Sequence, residues 1–465
     1  MGFNHFPFFM KKYLSFLLLF PVFAFAQSNK ISKAEKLFGL SKFWQEVNYN
    51  FVYLDKVDRP KFDSTYKALL TTIGDTKSDY EYYRELEKFC ATLKDGHTNV
   101  FMPSTSDFET MTTMFGDYRF FVENVGGKAV IVRVNLSKKN EIPLGSEIIE
   151  VNGKPTEKYI ADEVEPYIAS STTHVLKNWA INRLLKGRNG DSYLVKIKKP
   201  NGNIVSLNLT HKTTAEKEVF PAFEAEQNLL ELKWYPNDVA YIALNSFGDK
   251  KINELFLEKL PELYKAKSVI IDLRNNGGGS TNIGRDILKY FTADSVLYGS
   301  KSTTRLNTSA FKAWGYYTKP ADTVGNNWSK KSLLTYQDKF IYEFDYAGTK
   351  IKTEGKRIVV PTAILIGNNT ASAAEDFLIF TDNQKHMKKI GQPTFGSTGQ
   401  PLSFDMPGGG SARICTKKDT YPNGKEFVGY GVMPDIAITP SLNDYLKNND
   451  PTLNKALSYL KETKL

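Results

Sequence analysis

The sequence predicts an α/β protein, because strand-like and helix-like segments alternate over the second half of the chain. Short apolar runs with the length of buried strands lie at 239–242, 268–273 and 358–366. A helical pattern at 252–264 comes after the first run and another at 283–291 after the second, and a helix of small residues is expected to start near Ser372. This order is typical of a largely parallel sheet.

The composition and the first residues indicate a large globular protein that is exported. The 465 residues are 41% hydrophobic, which is enough for two or three domains. Lys11 and Lys12 precede an apolar stretch at 13–26 that ends in A-F-A, as in a cleaved signal peptide. We therefore predict a signal peptide at 1–26 and a periplasmic or secreted protein. The stretch is short for a membrane span, so no stable span is expected after cleavage, and an uncleaved anchor is the alternative.

Charge and cysteine content narrow the possible partners and cofactors. The net charge of +10 is spread along the chain without a basic block interleaved with aromatics, so no nucleic-acid partner is expected. Cys90 and Cys415 could form one disulfide or remain two buried thiols. Neither belongs to a metal-type cluster, and no metal or organic cofactor is implied. The oligomeric state stays open.

Changes of pattern divide the mature chain into three predicted regions. A helical region covers 27–115, a region of short strands covers 116–212, and the α/β core covers 213–465. Within the core, residues 303–346 show weak periodicity and are expected to form a long excursion near the site.

One segment of the strand-rich region resembles a PDZ domain. Residues 144–154 read L-G-S-E-I-I-E-V-N-G-K, with Ser146 where PDZ domains often have an aspartate. The resemblance implies a module that captures an extended peptide by adding it to a sheet edge. The alternative is a small β module that only packs against its neighbours.

Residues 367–375, G-N-N-T-A-S-A-A-E, contain the candidate nucleophile. They follow a buried strand, so Ser372 is expected at a helix N-terminus, where free N–H groups favour negative charge. An acyl-transfer enzyme needs this arrangement beside its nucleophile. Ser372 and Glu375 also fit a capping box, which would serve only to start the helix.

Residues 272–280, D-L-R-N-N-G-G-G-S, form a glycine-rich turn after another strand. Its N–H groups could bind an oxyanion, or the glycines could simply permit a tight turn. The dinucleotide and phosphate-loop patterns both fail here.

A nucleophilic serine needs a base, and His97 is the candidate. After the signal the histidines are His97, His174, His211 and His386. His97 lies in the polar turn D-G-H-T at a region boundary, although a structural role is the alternative. No G-x-S-x-G elbow is present, which argues against an α/β-hydrolase.

Taken in order, D-G-H-T, the PDZ-like segment, the glycine-rich turn, the Ser372 segment and G-V-M-P-D at 431–435 resemble one family. It comprises the C-terminal processing peptidases with their tricorn-like and retinoid-binding-protein-like relatives. The resemblance covers about 37–440 and implies a crotonase-like α/β core. It also implies Ser372 as nucleophile, and an oxyanion hole made by the amide of Ala373 and that of Gly277 or Gly278.

The base distinguishes two branches of this family. The processing-peptidase branch has a lysine after a T-F-G turn, and here Ser397 follows residues 394–396 instead. His97 matches the histidine of the tricorn-like branch. In that branch a serine precedes the histidine and a glutamate near the last motif completes the relay. Here Gly96 replaces the serine.

The nearest acid to the last motif is Glu426, while Val428 stands close to the expected place of the glutamate. The resemblance thus implies Ser372, His97 and Glu426 as catalytic residues, with Glu375 as another acid that could serve.

The sequence therefore predicts an exported serine peptidase that acts on polypeptides through a Ser–His acyl-enzyme mechanism. Two alternatives remain, namely a catalytically silent peptide-binding protein and a protein that binds an apolar small molecule.

Overall fold

The computed structural model describes residues 30–223 and 227–463, so the predicted signal peptide lies outside the described residues. The N-terminal region is helical. It comprises α1 (Lys33–Asn50), α2 (Arg59–Thr72), α3 (Asp79–Ala91) and the short strand β1 (Asn99–Phe101). Ser32 and Ser78 cap α1 and α3, each accepting a hydrogen bond from the third residue of its helix.

A β module follows, with its own apolar core. Its elements in chain order are β2 (Met114–Phe115), β3 (Tyr118–Val125), β4 (Lys128–Asn135), β5 (Glu147–Val151), β6 (Lys154–Pro155), α4 (Thr156–Tyr159), α5 (Thr173–Asn182), β7 (Ser192–Lys198), β8 (Ile204–Thr210) and β9 (Val219–Phe220). The main path of the sheet runs β2-β3-β4-β5-β7-β8. Because β9 pairs with β4, the module's sheet extends beyond the predicted boundary at residue 212.

The remaining chain forms the α/β core. Its elements are β10 (Leu230–Tyr235), β11 (Val239–Leu244), α6 (Lys251–Leu263), β12 (Ser268–Asp272), α7 (Thr281–Leu288), β13 (Val296–Leu297), β14 (Lys301–Arg305), α8 (Ser309–Tyr317), α9 (Asn327–Tyr336), β15 (Ile341–Glu343), β16 (Thr349–Lys350), β17 (Thr362–Ile366), α10 (Ala373–Phe380), β18 (Met387–Gly391), β19 (Pro401–Asp405), β20 (Ser411–Cys415), β21 (Lys418–Thr420), β22 (Ile436–Ala437), α11 (Leu442–Leu446) and α12 (Pro451–Glu462). The α/β class is confirmed.

A six-stranded sheet in the order β10-β11-β12-β17-β18-β22 organises the core. Only β10 is antiparallel to its neighbour, and every residue of β11, β12 and β17 is buried. Alternate residues face two different apolar clusters. Ile271 packs with the N-terminal helices, α7 and α10, whereas Ile270 packs with α12. Both faces of the sheet are therefore covered, as parallel sheets require.

The N-terminal region is joined to the core by backbone pairing. Asn99 of β1 pairs with Arg413 of β20, which itself forms a hairpin with β19. This pairing brings the turn after α3 to the edge of the core. Cys90 and Cys415 are both buried free thiols.

The stretch at 303–346, which was predicted to form a long excursion, has secondary structure of its own. This stretch contains the helices α8 and α9 and the strand β15, and β14 at its start pairs with both β15 and β21. Its aromatic residues pack on one another, as in the contact between Trp314 and Trp328, with ring centres 4.8 Å apart. None of the described helices is long and apolar enough to cross a bilayer.

Candidate active site

Three loops meet at one edge of the core sheet. The glycine-rich turn follows β12, the loop that carries Ser372 follows β17, and the T-F-G turn at 394–396 follows β18. Because these strands are parallel, their carboxyl ends lie at the same edge, where α/β proteins place their binding sites.

Ser372 is held in a backbone conformation that few residues adopt. Its φ of 56° and ψ of −121° put it in a region that costs about 1–3 kcal/mol for a residue with a side chain. The Glu375 carboxylate accepts a hydrogen bond from Ser372 N at 3.1 Å, so one half of the predicted capping box is present. The Glu375 amide donates to the carbonyl oxygen of Ser372 at 2.7 Å, which leaves Ser372 Oγ to other partners.

That partner is His97. Its Nε2 lies 3.3 Å from Ser372 Oγ, which is within the range of nucleophile–base contacts before substrate binds. The imidazole is only 8% exposed. Burial, together with the nearby positive charges of Arg413 and Lys417, lowers the pKa of His97 to about 4 against the opposing effect of Asp419. His97 is therefore neutral at pH 7 and can accept a proton.

The turn that carries His97 is fixed by a buried acid and by the β module. Asp95 accepts hydrogen bonds from Thr98 Oγ1 at 2.7 Å and from Ser171 Oγ at 3.2 Å. Ser171 Oγ also accepts from the amide of Gly96 at 2.9 Å. Since Ser171 precedes α5, the β module contributes directly to the position of His97.

Gly96 has no room for a side chain. A Cβ there would lie 2.6 Å from Cε1 of Phe395, whose ring packs against the turn. A serine at this position, as in the tricorn-like pattern, would require the Phe395 ring to move.

The second nitrogen of His97 contacts Ser397, not the predicted Glu426. The distance from His97 Nδ1 to Ser397 Oγ is 2.7 Å, and both side chains are buried. Glu426 is drawn elsewhere by opposite charges, with hydrogen bonds to Lys418 and, at 3.5 Å, to Lys56. The hydrogen bond from Lys418 holds the pKa of Glu426 below its usual range. Among the described residues, the relay position beside His97 thus belongs to a hydroxyl group.

Glu375 is buried between the Ser372 loop and the T-F-G turn, and none of its hydrogen bonds within the described chain is to His97. It accepts hydrogen bonds from the amides of Gly396 and Ser397 at 2.7 and 3.2 Å, from Ser372 N, and from Thr394 Oγ1. Burial raises the pKa of Glu375 to about 8 although the hydrogen bonds from these four donors act in the opposite direction. This acid connects the backbone of the Ser372 loop to that of Ser397, so it positions groups around His97 instead of contacting it.

Two of the three predicted oxyanion-hole amides have free N–H groups. Within the described part of the chain, Ala373 N and Gly277 N have no hydrogen-bond partner. Gly278 N is already occupied, because it donates to Asn276 Oδ1 at 2.9 Å. Gly278 instead permits close approach, since a Cβ there would lie 2.7 Å from Ala371 O and from Ser372 Cβ.

The last sequence motif and the residues just before it support the T-F-G turn. Thr394 Oγ1 accepts a hydrogen bond from Val432 N at 2.7 Å, and the Gly429 amide donates to Gly396 O at 2.8 Å. Sequence reasoning missed the roles of Ser397 and Ser171. For Ser397 a signal existed, because it stands where the processing-peptidase branch has its lysine; for Ser171 nothing local distinguished it.

Comparison with known proteins finds similarity to peptidases. The sequence model of peptidase family S41 matches residues 238–438. The chain resembles the C-terminal processing peptidases. It is 24% identical over 393 residues to the carboxy-terminal processing protease CtpB of Bacillus subtilis (strain 168), a match that covers 83% of this chain and 65% of CtpB. It is 21% identical over 369 residues to a carboxyl-terminal-processing protease of Picosynechococcus sp., covering 78% and 74% of the two chains.

The structural comparison concerns the fold. The structure of mature CPAF complexed with lactacystin aligns with a TM-score of 0.62 at 14% identity, covering 93% of this chain and 98% of that one. The S41 match and the similarity to processing proteases support the prediction of a serine-type peptidase. The S41 match contains Ser372 and the glycine-rich turn, whereas His97 lies outside it.

The low pKa of His97 leads to a prediction about pH. We expect kcat/KM for a peptide substrate to rise with pH through about 4 and to level off by about 6, because only neutral His97 can accept the serine proton. An unperturbed histidine would give a midpoint near 6.5. A pH–rate profile between pH 3 and 9 measures this, and a midpoint at 6.5 or above would contradict it.

Folding must be monitored in the same experiment. His97 titrates near 6.5 in the unfolded chain and at about 4 in the folded one, so its contribution to stability is present above pH 6.5 and is lost as pH falls towards 4. Circular dichroism at each pH separates this loss of structure from protonation of the base.

We expect Ser397→Ala to lower kcat about 3- to 10-fold, with little change in KM. A neutral hydrogen bond contributes about 0.5–1.5 kcal/mol, far less than a carboxylate partner would. Steady-state kinetics on a peptide substrate measure the effect, and Ser403→Ala on β19, an exposed serine, is the matched control. A loss of a thousandfold or more, or no loss, would show that Ser397 does not have this role.

Proposed function

We propose that this protein is an exported serine peptidase that hydrolyses peptide bonds in polypeptides through an acyl-enzyme on Ser372. The observation that carries the proposal is the contact between Ser372 Oγ and the neutral His97, beside two N–H groups without a partner in the described chain. The nucleophile, the base and the oxyanion donors therefore lie close enough together to act on one carbonyl group of a substrate.

In the proposed mechanism Ser372 Oγ attacks the scissile carbonyl carbon while its proton passes to His97 Nε2. For this step, His97 Nδ1 must carry the other ring proton and donate a hydrogen bond to Ser397 Oγ. The oxyanion of the tetrahedral intermediate then faces the N–H groups of Ala373 and Gly277. His97 protonates the leaving amine, and afterwards it activates the water that hydrolyses the ester.

The β module fits a role in peptide capture, and we propose that it is of the PDZ type. Over residues 121–125, no strand of the described chain pairs with the edge of β3 that faces away from β4. Helix α5 packs beside β3, and Asn124 donates to Asn178 of this helix at 2.6 Å. An extended peptide could add to this edge as a further strand.

The remaining parts of the proposal concern location and architecture. Lys11, Lys12 and the apolar stretch at 13–26 support export. We also propose that residues 27–115, 116–212 and 213–465 act as a helical region, a PDZ-like domain and a crotonase-like catalytic core, with β9 added to the second.

Hydrolysis of labelled casein by residues 27–465 tests the proposal. We expect cleavage by the unchanged protein and none by Ser372→Ala of equal melting temperature. An inert protein across pH 5–9 would favour the silent peptide-binding alternative. Equal cleavage by Ser372→Ala would assign the activity to another residue or to a contaminant.

A further inference from the structure

A cavity of about 400 Å³ lies between the α/β core and the β module, next to the candidate active site. Residues that follow β12, β17, β18 and β22 line one wall, so the cavity lies at the carboxyl ends of four parallel strands. This is where open α/β sheets bind ligands. Helix α5 and the turn between β3 and β4 form the opposite wall.

The lining is unusually rich in side-chain amides. Six of them are Asn178, Asn182, Asn275, Asn368, Asn369 and Gln392. Asn368 Oδ1 is shielded from solvent and has no hydrogen-bond partner within the described chain. A buried acceptor of this kind is costly to leave unpaired, and a ligand N–H group can pair with it once the Asn368 side chain turns into the cavity.

The cavity has no uncompensated positive charge. Arg274 lines it, but the guanidinium lies 2.6 Å from a carboxylate oxygen of Asp272 and 2.8 Å from one of Asp450. Glu123 lines the opposite wall and receives a hydrogen bond from Asn182. The positive charge of Arg274 is therefore already neutralised, and a carboxylate ligand would also be repelled by Glu123.

Two loops that line the cavity, the Ser372 loop and the glycine-rich turn, carry the reacting groups a few residues further along the chain. Asn369 is three residues before Ser372, and Asn275 is two residues before Gly277. The two loops that line the cavity therefore also carry the reacting groups.

We propose that the cavity is a specificity subsite for a neutral carboxamide side chain, glutamine or asparagine, next to the scissile bond of the substrate. The inference rests on the proposed peptidase function. A carboxamide both donates and accepts, so it can pair with Asn368 Oδ1 and with the N–H groups of its neighbours. An aliphatic side chain of the same size would leave these polar groups without partners, which is how hydrogen-bonding sites reject apolar analogues.

Peptide binding to Ser372→Ala tests the subsite without depending on hydrolysis. The probes are fluorescent nonapeptides of alanine and serine with glutamine, leucine, glutamate or lysine at the central position, measured by anisotropy. We expect the glutamine peptide to bind at least 10-fold tighter than each of the other three. Adding Asn368→Leu should bring its affinity to that of the leucine peptide. Asn203→Leu, an exposed asparagine in the β7–β8 hairpin, should keep the preference.

Equal affinities, a preference for lysine or leucine, or an unchanged preference in Asn368→Leu would overturn the inference. Casein hydrolysis by the unchanged protein separates the two proposals. Cleavage without a glutamine preference would overturn the subsite alone, whereas a glutamine preference in a protein that cleaves nothing would overturn the peptidase function alone.

Discussion

Replacement of His97 by alanine is expected to lower kcat/KM on a peptide substrate by about 10⁴-fold or more, as is replacement of Ser372. Among the described residues, His97 is the base that contacts Ser372 Oγ, and a serine hydroxyl without a base is a weak nucleophile. Because the two residues act as one unit, the double variant should lose little more than either single variant. Steady-state kinetics on the three variants measure the effect.

His386→Ala provides the matched control for this prediction. His386 Nε2 contacts the carbonyl oxygen of Phe291 at 2.9 Å, away from the candidate site. We expect this variant to keep its activity. A His97→Ala protein that stays folded and retains more than a tenth of the activity would show that His97 is not the base.

Glu375→Ala is expected to lower the free energy of unfolding by about 3–5 kcal/mol and to abolish activity. The carboxyl group is fully buried and receives hydrogen bonds from three backbone amides and one hydroxyl, all from loops around the site. Each buried group left without a partner costs about 1–3 kcal/mol, and single substitutions seldom exceed 5 kcal/mol. Urea unfolding measures the loss.

Glu375→Gln separates geometry from acid chemistry. Its amide oxygen still accepts from two of the donors, so we expect a smaller loss of stability than with alanine. If both variants were as stable as the unchanged protein, the loops would not depend on this residue.

The elements that could be predicted from the sequence are those determined by residues close together in the chain. The strands β11, β12 and β17 are continuous apolar runs because both faces of the sheet are covered, and such runs are visible without any contact information. Ser372 and the glycine-rich turn were also recognisable, since a helix start and a positive φ at Gly278 each favour particular residue types at nearby positions in the sequence.

The partners of His97 could not be predicted because they are distant in the chain. Ser397 lies 300 residues from His97, and only the folding of β1 against β20 and of the T-F-G turn against Gly96 brings them together. Glu426 was the nearest acid in sequence, but two lysines hold it elsewhere. The carboxamide-lined cavity likewise depends on the docking of α5 against the core, which no local pattern encodes.

Labelling with a fluorophosphonate, followed by mass spectrometry of the digested protein, tests the central claim most directly. Such a probe reacts with a serine only where a base and an oxyanion hole activate it. We predict a single adduct on Ser372 that is formed much more slowly in His97→Ala. An absence of labelling in the folded protein, or an adduct on another serine, would contradict the account.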